Sequence, residues 1–133
     1  MRRPSLDPTP LAALAPGLAV EVLETATSTN AVAADRARAG APEGHVVVAE
    51  AQTAGRGRLD RTWQSPPRSS VLFSMVLRPR VPLADWPWLP LLTGHTVAEA
   101  LRGLGQAPTK VPVVIGASGI GVIHAHVKIS SLI

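Results

Sequence analysis

The sequence contains no cysteine and no tyrosine, and its aromatic residues are one phenylalanine and three tryptophans among 133 residues. The absence of cysteine excludes disulfides, thiolate metal sites and a cysteine nucleophile within this chain. The four histidines have no zinc-like spacing with acidic residues, which argues against a metal-dependent hydrolase and predicts no metal site held by the protein. The few aromatic residues are not placed as a stacking platform for nucleic acid bases.

Long apolar runs are also missing. The apolar segment that begins at Leu11 is broken by Pro16 and Gly17, so it lacks the continuous core of a signal peptide or a membrane span. The sequence therefore predicts a cytoplasmic protein without a membrane span. Its length of 133 residues suffices for one domain, and its formal net charge of +4 permits contact with phosphate ligands, nucleic acid or acidic partners without specifying any of them.

The composition changes near residue 110. Residues 1–109 contain eleven arginines and all nine acidic residues but no lysine or isoleucine, whereas residues 110–133 contain both lysines, all five isoleucines and no acidic residue. One interpretation is a short β-rich tail, because β-branched residues favour strands. The other is a divergent tail produced by truncation or a shifted reading frame. The Pro/Ala-rich residues 1–17 are predicted to form a flexible leader, which leaves 18–109 as the main folded part.

Apolar periodicity, capping residues and breaker residues predict an alternation of strands and helices. Strands are predicted at 18–24, 45–51, 69–79, 111–115 and 121–129. Helices are predicted at 31–40 and from just past Pro90 to Gly103 or Gly105. The turn "TSTN" precedes the first helix, and Gly40 ends it. This alternation indicates an α/β fold with a mixed, partly parallel sheet and flanking helices.

The segment 52–63, "QTAGRGRLDRTW", has no apolar periodicity and is predicted to be a loop. Guanidinium groups offer forked donors that suit carboxylates and phosphates, and Gly55 and Gly57 would let backbone amides approach an anion closely. The segment lacks the third glycine of a dinucleotide fingerprint, where Asp60 stands, and there is no P-loop motif. Spacing alone leaves a solvated surface loop and an anion-binding loop both open.

Two motifs in order carry a family resemblance. The turn "TSTN", followed after a helix and a strand by "AEAQTAGRGRLDRTW", resembles the catalytic domain of biotin protein ligases, which attach biotin to carboxylases. The resemblance continues through "SSVLFSMVLRP" and "WPWLPLLTGHTVAEALRGLG" and covers roughly residues 20–107. It implies the first part of that domain. It also implies the single-function type, because the short leader is not expected to supply a DNA-binding helix-turn-helix.

The resemblance implies roles for individual residues. Arg56 and Arg58 are implied as catalytic residues near carboxylate and phosphate, and Trp63 is implied on the nucleotide side, near adenine. Capping of the first helix is a compatible second role for the "TSTN" turn. The implied biotin contacts are Ser28, Thr29, Asn30, Gln52, Gly55, Arg56, Gly57 and Arg58.

The implied activity has two steps. The biotin carboxylate attacks the α-phosphorus of ATP to give biotinyl-5'-adenylate and pyrophosphate, and a lysine of a carboxylase biotin carboxyl-carrier domain then attacks the acyl carbon. Biotin and ATP are the implied substrates, with Mg²⁺ bridging the ATP phosphates. Both steps build negative charge, which arginine and amide donors would stabilise.

The sequence departs from the family pattern after residue 107. Biotin protein ligases have a Lys-Trp-Pro-Asn-Asp strand there, whereas this chain has "TKVPVVIG", in which Lys110 is the candidate for the functional lysine. Because this motif and the carboxy-terminal part of the family are not matched, activity stays an open question. Two alternatives remain: a biotin-binding fragment without catalysis, and a basic non-enzymatic module that binds nucleic acid or another polyanion through the Arg/Gly segment, Arg78 and Arg80.

Overall fold

A computed structural model describes residues 4–56, 62–65, 67–68, 70–105, 113–115 and 121–128. In these ranges the helices are α1 (Pro8–Leu14), α2 (Thr29–Arg38) and α3 (Trp88–Gly103), with a 3-10 turn at Leu83–Asp85. The strands are β1 (Ala19–Leu23), β2 (His45–Ala49), β3 (Gln52–Arg56), β4 (Thr62–Ser65), β5 (Ser70–Leu77), β6 (Val113–Ile115) and β7 (Gly121–Lys128). Each helix and strand predicted from the sequence has a counterpart here.

Five strands form a mixed sheet in the order β1-β2-β5-β7-β6, and β3 pairs with β4 in a separate two-stranded sheet. Strands β1 and β2 are parallel, with Ala19 opposite His45, and the other neighbours in the large sheet are antiparallel. A parallel pair needs a crossover connection, and α2 supplies it. The predicted α/β class with a partly parallel sheet is confirmed.

The core lies between α2 and the large sheet. Ala33, Ala34 and Ala37 on one face of α2 cluster with Val47 of β2 and Val76 of β5. Alanine side chains bring the helix backbone close to the sheet, and the two valines have no exposed surface. This packing fixes α2, and with it the turn that precedes it, relative to β2 and β5.

The tail contributes strands to the same sheet. β7 pairs with β5 along its whole length, from Ser70 opposite Lys128 to Leu77 opposite Gly121, and β6 pairs with the other edge of β7. The two strands predicted within residues 110–133 are therefore present, as the β-rich interpretation expects. The origin of this tail by truncation or a shifted reading frame stays a hypothesis.

Helix α3 begins at Trp88, two residues before Pro90. The sequence predicts a start past Pro90, but proline is tolerated in the first turn of a helix, where its missing N–H has no intrahelical acceptor. The outer side of α3 exposes Trp88, Leu91 and Leu92. In the ranges that the structure describes, no helix combines the length and the apolar character needed to cross a membrane.

Arg78 stabilises the carboxy-terminal end of α2. Its Nη2 donates to the carbonyl oxygens of Ala37 at 3.2 Å and Ala41 at 2.6 Å, and its backbone N–H donates to Oε1 of Glu43 at 3.1 Å. A cation at this position interacts favourably with the helix dipole. These contacts give Arg78 a structural role, so they lend no support to the polyanion interpretation that invoked it.

Glu21, Arg36 and His45 connect β1 with α2 and β2. Arg36 donates from Nε to Oε2 of Glu21 at 3.0 Å and from Nη2 to Oε1 at 2.7 Å, and Nε2 of His45 lies 3.1 Å from the same Oε2. The hydrogen bonds from Arg36 lower the pKa of Glu21, burial opposes this effect, and His45 adds to it. A lowered pKa means that the folded state favours the ionised carboxylate.

We expect Glu21→Gln to lower the free energy of unfolding at neutral pH. The pKa of Glu21 is lowered from 4.5, so its contribution is complete above that value and is lost as pH falls through the lower pKa of the folded state. The difference between variant and wild type should therefore shrink below pH 4.5, which urea unfolding across a pH series will measure. The control is Asp35→Asn, which removes an exposed pair with Arg38 and should change little. A difference that is independent of pH would contradict the prediction.

Candidate functional site

The turn before α2 lies beside the start of β3. Ala26 and Gln52 form a parallel bridge. The amide of Thr53 donates to the carbonyl oxygen of Ala26 at 3.1 Å, and the amide of Ala54 donates to that of Thr27 at 2.8 Å. The two motifs that carry the family resemblance are thus neighbours in space, although they are separated in sequence by α2 and β2.

The side chain of Gln52 joins the two motifs. Only 1% of Gln52 is exposed, and its Oε1 accepts from the backbone N–H of Thr29 at 3.1 Å. That N–H lies in the first turn of α2, where amides have no intrahelical acceptor, so Gln52 satisfies a donor that the helix leaves open. The same bond settles the orientation of the amide group. Nε2, the donor end of the Gln52 side chain, is buried and has no hydrogen-bond partner among the described residues.

Within the described ranges, Asn30 in the same turn has an unpaired acceptor where Gln52 has an unpaired donor. Its Oδ1 is buried and has no partner in the part of the chain that the structure describes. The neighbouring Ser28 caps α2, with its Oγ accepting from the amide of Ala31 at 3.4 Å. Buried polar atoms are nearly always paired in folded proteins. One acceptor on Asn30 and one donor on Gln52 therefore suit a ligand that carries both N–H and acceptor groups.

A pair of hydroxyls fixes Thr29 to the sheet. Oγ1 of Thr29 and Oγ of Ser74 on β5 are 2.8 Å apart, and both residues have no exposed surface. Sequence reasoning did not identify Ser74. The available signal was the alternation of β5, which places this serine on the same buried face as Leu72 and Val76. A serine at such a position needs a polar partner, and the helix supplies it.

Glu50 is a second residue that sequence reasoning missed. It directly follows β2, only 1% of it is exposed, and its Oε1 accepts from the backbone N–H of Leu6 at 2.6 Å. Its own carbonyl oxygen accepts from the amide of Arg68 at 2.9 Å. The available signal in the sequence was an acidic residue directly after an apolar strand. An acidic side chain at such a position is rarely buried without a partner, so a partner for Glu50 could have been expected.

The predicted loop at 52–63 is wrong at both ends. Residues Gln52–Arg56 and Thr62–Ser65 are antiparallel strands, with Gly55 opposite Trp63 and a β-bulge between Gln52 and Gly55. Backbone hydrogen bonds hold such a ribbon together, and a bulge shifts its register, so no apolar alternation reveals it in the sequence. The described strands place the backbones of Gly55, Arg56 and Trp63 on this hairpin, which continues directly from Gln52.

The structure thus brings together four of the predicted site residues, namely Ser28, Thr29, Asn30 and Gln52. Three further predictions, for Gly57, Arg58 and Lys110, lie outside the described residues. Where the structure describes the chain, no group of three or more histidine, aspartate or glutamate side chains could hold a metal ion.

A family model decides the relationship. The model described as the biotin/lipoate A/B protein ligase family matches residues 22–131, a range that includes the turn, the Arg/Gly segment and the tail strands. This chain belongs to that family. The matched part of the chain begins in β1 and extends beyond β7, so the similarity to the biotin/lipoate A/B protein ligase family is not confined to the two motifs.

Curated relatives are similar over about two thirds of the chain. The bifunctional ligase/repressor BirA of Bacillus subtilis is 37% identical over 102 residues, which cover 71% of this chain and 31% of the relative. The biotin--[acetyl-CoA-carboxylase] ligase of Mycobacterium tuberculosis is 38% identical over 91 residues, covering 67% of this chain and 34% of the relative. The chain spans about a third of the length of these relatives.

Solved structures of biotin protein ligases share the fold. The Aquifex aeolicus enzyme in complex with biotin and ATP has a TM-score of 0.65 and 25% identity, with 82% of this chain and 51% of that chain covered. The Leishmania major enzyme in complex with biotinyl-5-AMP has a TM-score of 0.64 and 25% identity, with coverage of 82% and 56%. Family membership and fold therefore agree.

We expect the hydroxyls of Thr29 and Ser74 to be energetically coupled. Either Thr29→Val or Ser74→Ala removes the hydrogen bond between the two hydroxyls, at a cost of about 0.5–1.5 kcal/mol. The double variant loses this bond only once, so it should cost less than the sum of the two single variants. Urea unfolding of all four proteins measures the coupling. Thr96→Val, which changes an exposed hydroxyl of α3, serves as the control, and strict additivity at Thr29 and Ser74 would contradict the prediction.

Proposed function

We propose that this chain carries the biotin-binding part of a biotin protein ligase. Such an enzyme activates biotin with ATP and transfers the biotinyl group to a lysine of a biotin carboxyl-carrier domain, in acetyl-CoA carboxylase or a related carboxylase. Family membership supports the proposal, as do the names of the relatives and the ligands of the similar structures, which are biotin, ATP and biotinyl-5-AMP.

The observation that carries the proposal is the pair of buried, unpartnered atoms at the turn. Oδ1 of Asn30 is an acceptor and Nε2 of Gln52 is a donor, and neither has a partner in the described ranges. The ureido ring of biotin contains two N–H donors and a carbonyl acceptor. In this proposal Asn30 accepts from a ureido N–H and Gln52 donates to an acceptor atom of biotin. Each new bond would satisfy a group whose burial otherwise costs stability.

In this proposal the Arg/Gly segment contacts the groups that react, which are the biotin carboxylate and the ATP phosphates. In the proposed site, Gly55 and Gly57 allow backbone amides to approach biotin closely. Arg56 and Arg58 stabilise the negative charge that develops as a carboxylate oxygen attacks the α-phosphorus and pyrophosphate leaves. Trp63 lies opposite Gly55 in the hairpin, and we place its ring near adenine.

The remaining assignments follow from the family. Lys110 is the candidate for the lysine that meets carboxylate and phosphate in the first step. In the second step the amine of the acceptor lysine attacks the acyl carbon and AMP leaves. Mg²⁺ would arrive with the ATP phosphates, whose charge it neutralises. The cytoplasm, where carboxylases meet ATP, is the proposed location, and neither a membrane nor a specific DNA sequence is a proposed partner.

Calorimetric titration of biotin into the purified chain, with and without Mg-ATP, tests the proposal. We expect saturable binding of biotin, and mass analysis after addition of Mg-ATP should detect biotinyl-5'-adenylate. Binding without adenylate would identify the chain as a biotin-binding fragment. If biotin does not bind at all, the proposal is overturned.

We expect Gln52→Glu to raise the biotin Kd about tenfold, because it retains the oxygen that accepts from Thr29 but replaces the free donor with a second acceptor. Thr53→Val is the matched control, since Thr53 lies next in the chain with an exposed side chain. It should leave the Kd unchanged. Calorimetry measures both, and thermal unfolding checks that each variant is folded. An equal loss of affinity in the two variants would show that the Nε2 donor has no specific role.

A further inference from the structure

We propose that Glu50 is a positioning residue for Gln52, and that it acts through its hydrogen bond to the amino-terminal segment, residues 4–7. In this proposal the backbone amide of Leu6 holds the Glu50 carboxylate, which in turn holds the junction between β2 and β3 in the conformation that orients Gln52. The consequence for biotin affinity rests on the proposed function, whereas the structural coupling does not.

The contact between Leu6 and Glu50 is long-range in sequence and buried at the glutamate. The amide nitrogen of Leu6 lies 2.6 Å from Oε1 of Glu50, across 44 positions of sequence. Hydrogen bonds to ionised acceptors are shorter and stronger than those between neutral groups. Because only 1% of Glu50 is exposed, water cannot readily replace a lost protein donor. The amino-terminal segment thus contributes a bond that the solvent does not offer.

The backbone of Glu50 is fixed on both sides. Its N–H donates to the carbonyl oxygen of Leu23 at the end of β1, at 2.9 Å, and its carbonyl oxygen accepts from the amide of Arg68, also at 2.9 Å. Glu50 therefore connects the amino-terminal segment, β1 and the chain that follows β4. A displacement of its side chain would strain a backbone position where three parts of the protein meet.

The path from Glu50 to the ligand-binding side chain is short. A single residue, Ala51, separates Glu50 from Gln52, and the carbonyl oxygen of Ala51 accepts from the amide of Ala26 at 3.0 Å. Gln52 is held at its other end by the amide of Thr29. The orientation of Nε2 thus depends on two supports, one at the helix and one at the β2–β3 junction. Loosening the junction lowers the fraction of molecules with Gln52 aligned, and the apparent affinity falls by that fraction.

Two substitutions at Leu6 separate the hydrogen bond from the side chain. Leu6→Pro removes the N–H donor, whereas Leu6→Ala keeps the donor and removes the apolar side chain. We expect Leu6→Pro to raise the biotin Kd about tenfold relative to Leu6→Ala. Hydrogen exchange without biotin provides the second measurement. The amides of Thr53 and Ala54, which donate to Ala26 and Thr27, should exchange faster in Leu6→Pro, while those of the core strands β2 and β5 should exchange as in Leu6→Ala.

The outcomes separate this inference from the proposed function. Equal exchange at Thr53 and Ala54 in the two variants overturns the inference, whether or not the wild type binds biotin. Faster exchange in Leu6→Pro with a wild type that does not bind biotin supports the coupling and overturns the proposed function. Faster exchange throughout the core shows a general loss of stability and also counts against a positioning role.

If Leu6→Pro does not fold, Glu50→Gln takes its place. The glutamine oxygen still accepts from the Leu6 amide, but it does so without the charge that strengthens the bond. We expect the same direction of change with a smaller effect on both exchange and Kd. Wild-type values for both quantities in Glu50→Gln would overturn the inference.

Discussion

The hydrogen bond from the Thr29 amide to Oε1 of Gln52 holds the first turn of α2 against the start of β3, where the proposed site lies. Helix α2 connects the parallel strands β1 and β2, so the turn at its amino terminus follows the carboxyl end of β1. Strand β3 begins just after the carboxyl end of β2. Parallel neighbours end at the same edge of a sheet, which is where α/β proteins commonly bind ligands. The side chain of Gln52 holds the turn and β3 together at this edge, because it accepts from a helix amide that would otherwise have no acceptor.

Polar side chains are buried at this edge of the sheet, whereas the side chains buried in the core are apolar. The centre of the protein consists of alanine and valine side chains from α2, β2 and β5. Four of the six buried polar residues in the described part of the chain lie at the two chain junctions, namely Ser28, Thr29, Glu50 and Gln52. The other two are on β5, where Ser74 contacts Thr29 and Ser70 is the first residue of the strand. Burying such groups costs free energy unless they are paired. The hydrogen bonds of Ser28, Thr29 and Ser74 hold the turn in place, while Asn30 and Gln52 each keep one buried polar atom without a partner among the described residues.

The sequence was most informative where local rules apply. Apolar alternation located β5, and a hydroxyl-rich turn followed by an alanine-rich segment located α2, which begins two residues earlier than predicted because Ser28 is the residue of the turn that caps it. The parallel pairing followed from strand-helix alternation. The hairpin of β3 and β4 was missed because backbone pairing around a bulge leaves no apolar period. The contacts of Glu50 with Leu6 and of Ser74 with Thr29 were missed because they join residues 44 and 45 positions apart, and no local pattern encodes a partner at that distance.

The composition changes near residue 110, and the strands described beyond that point, β6 and β7, belong to the same sheet as β1, β2 and β5. Strand β7 lies between β5 and β6 in the large sheet, and the family match continues to residue 131. The pairing of β5 with β7 places Ser74 opposite His124. Because Ser74 holds the hydroxyl of Thr29, β7 pairs directly with the strand that contacts the turn before α2. Residues 121–128 are thus linked to the proposed site at residues 28–30 through β5, although the motifs that carry the family resemblance end well before them.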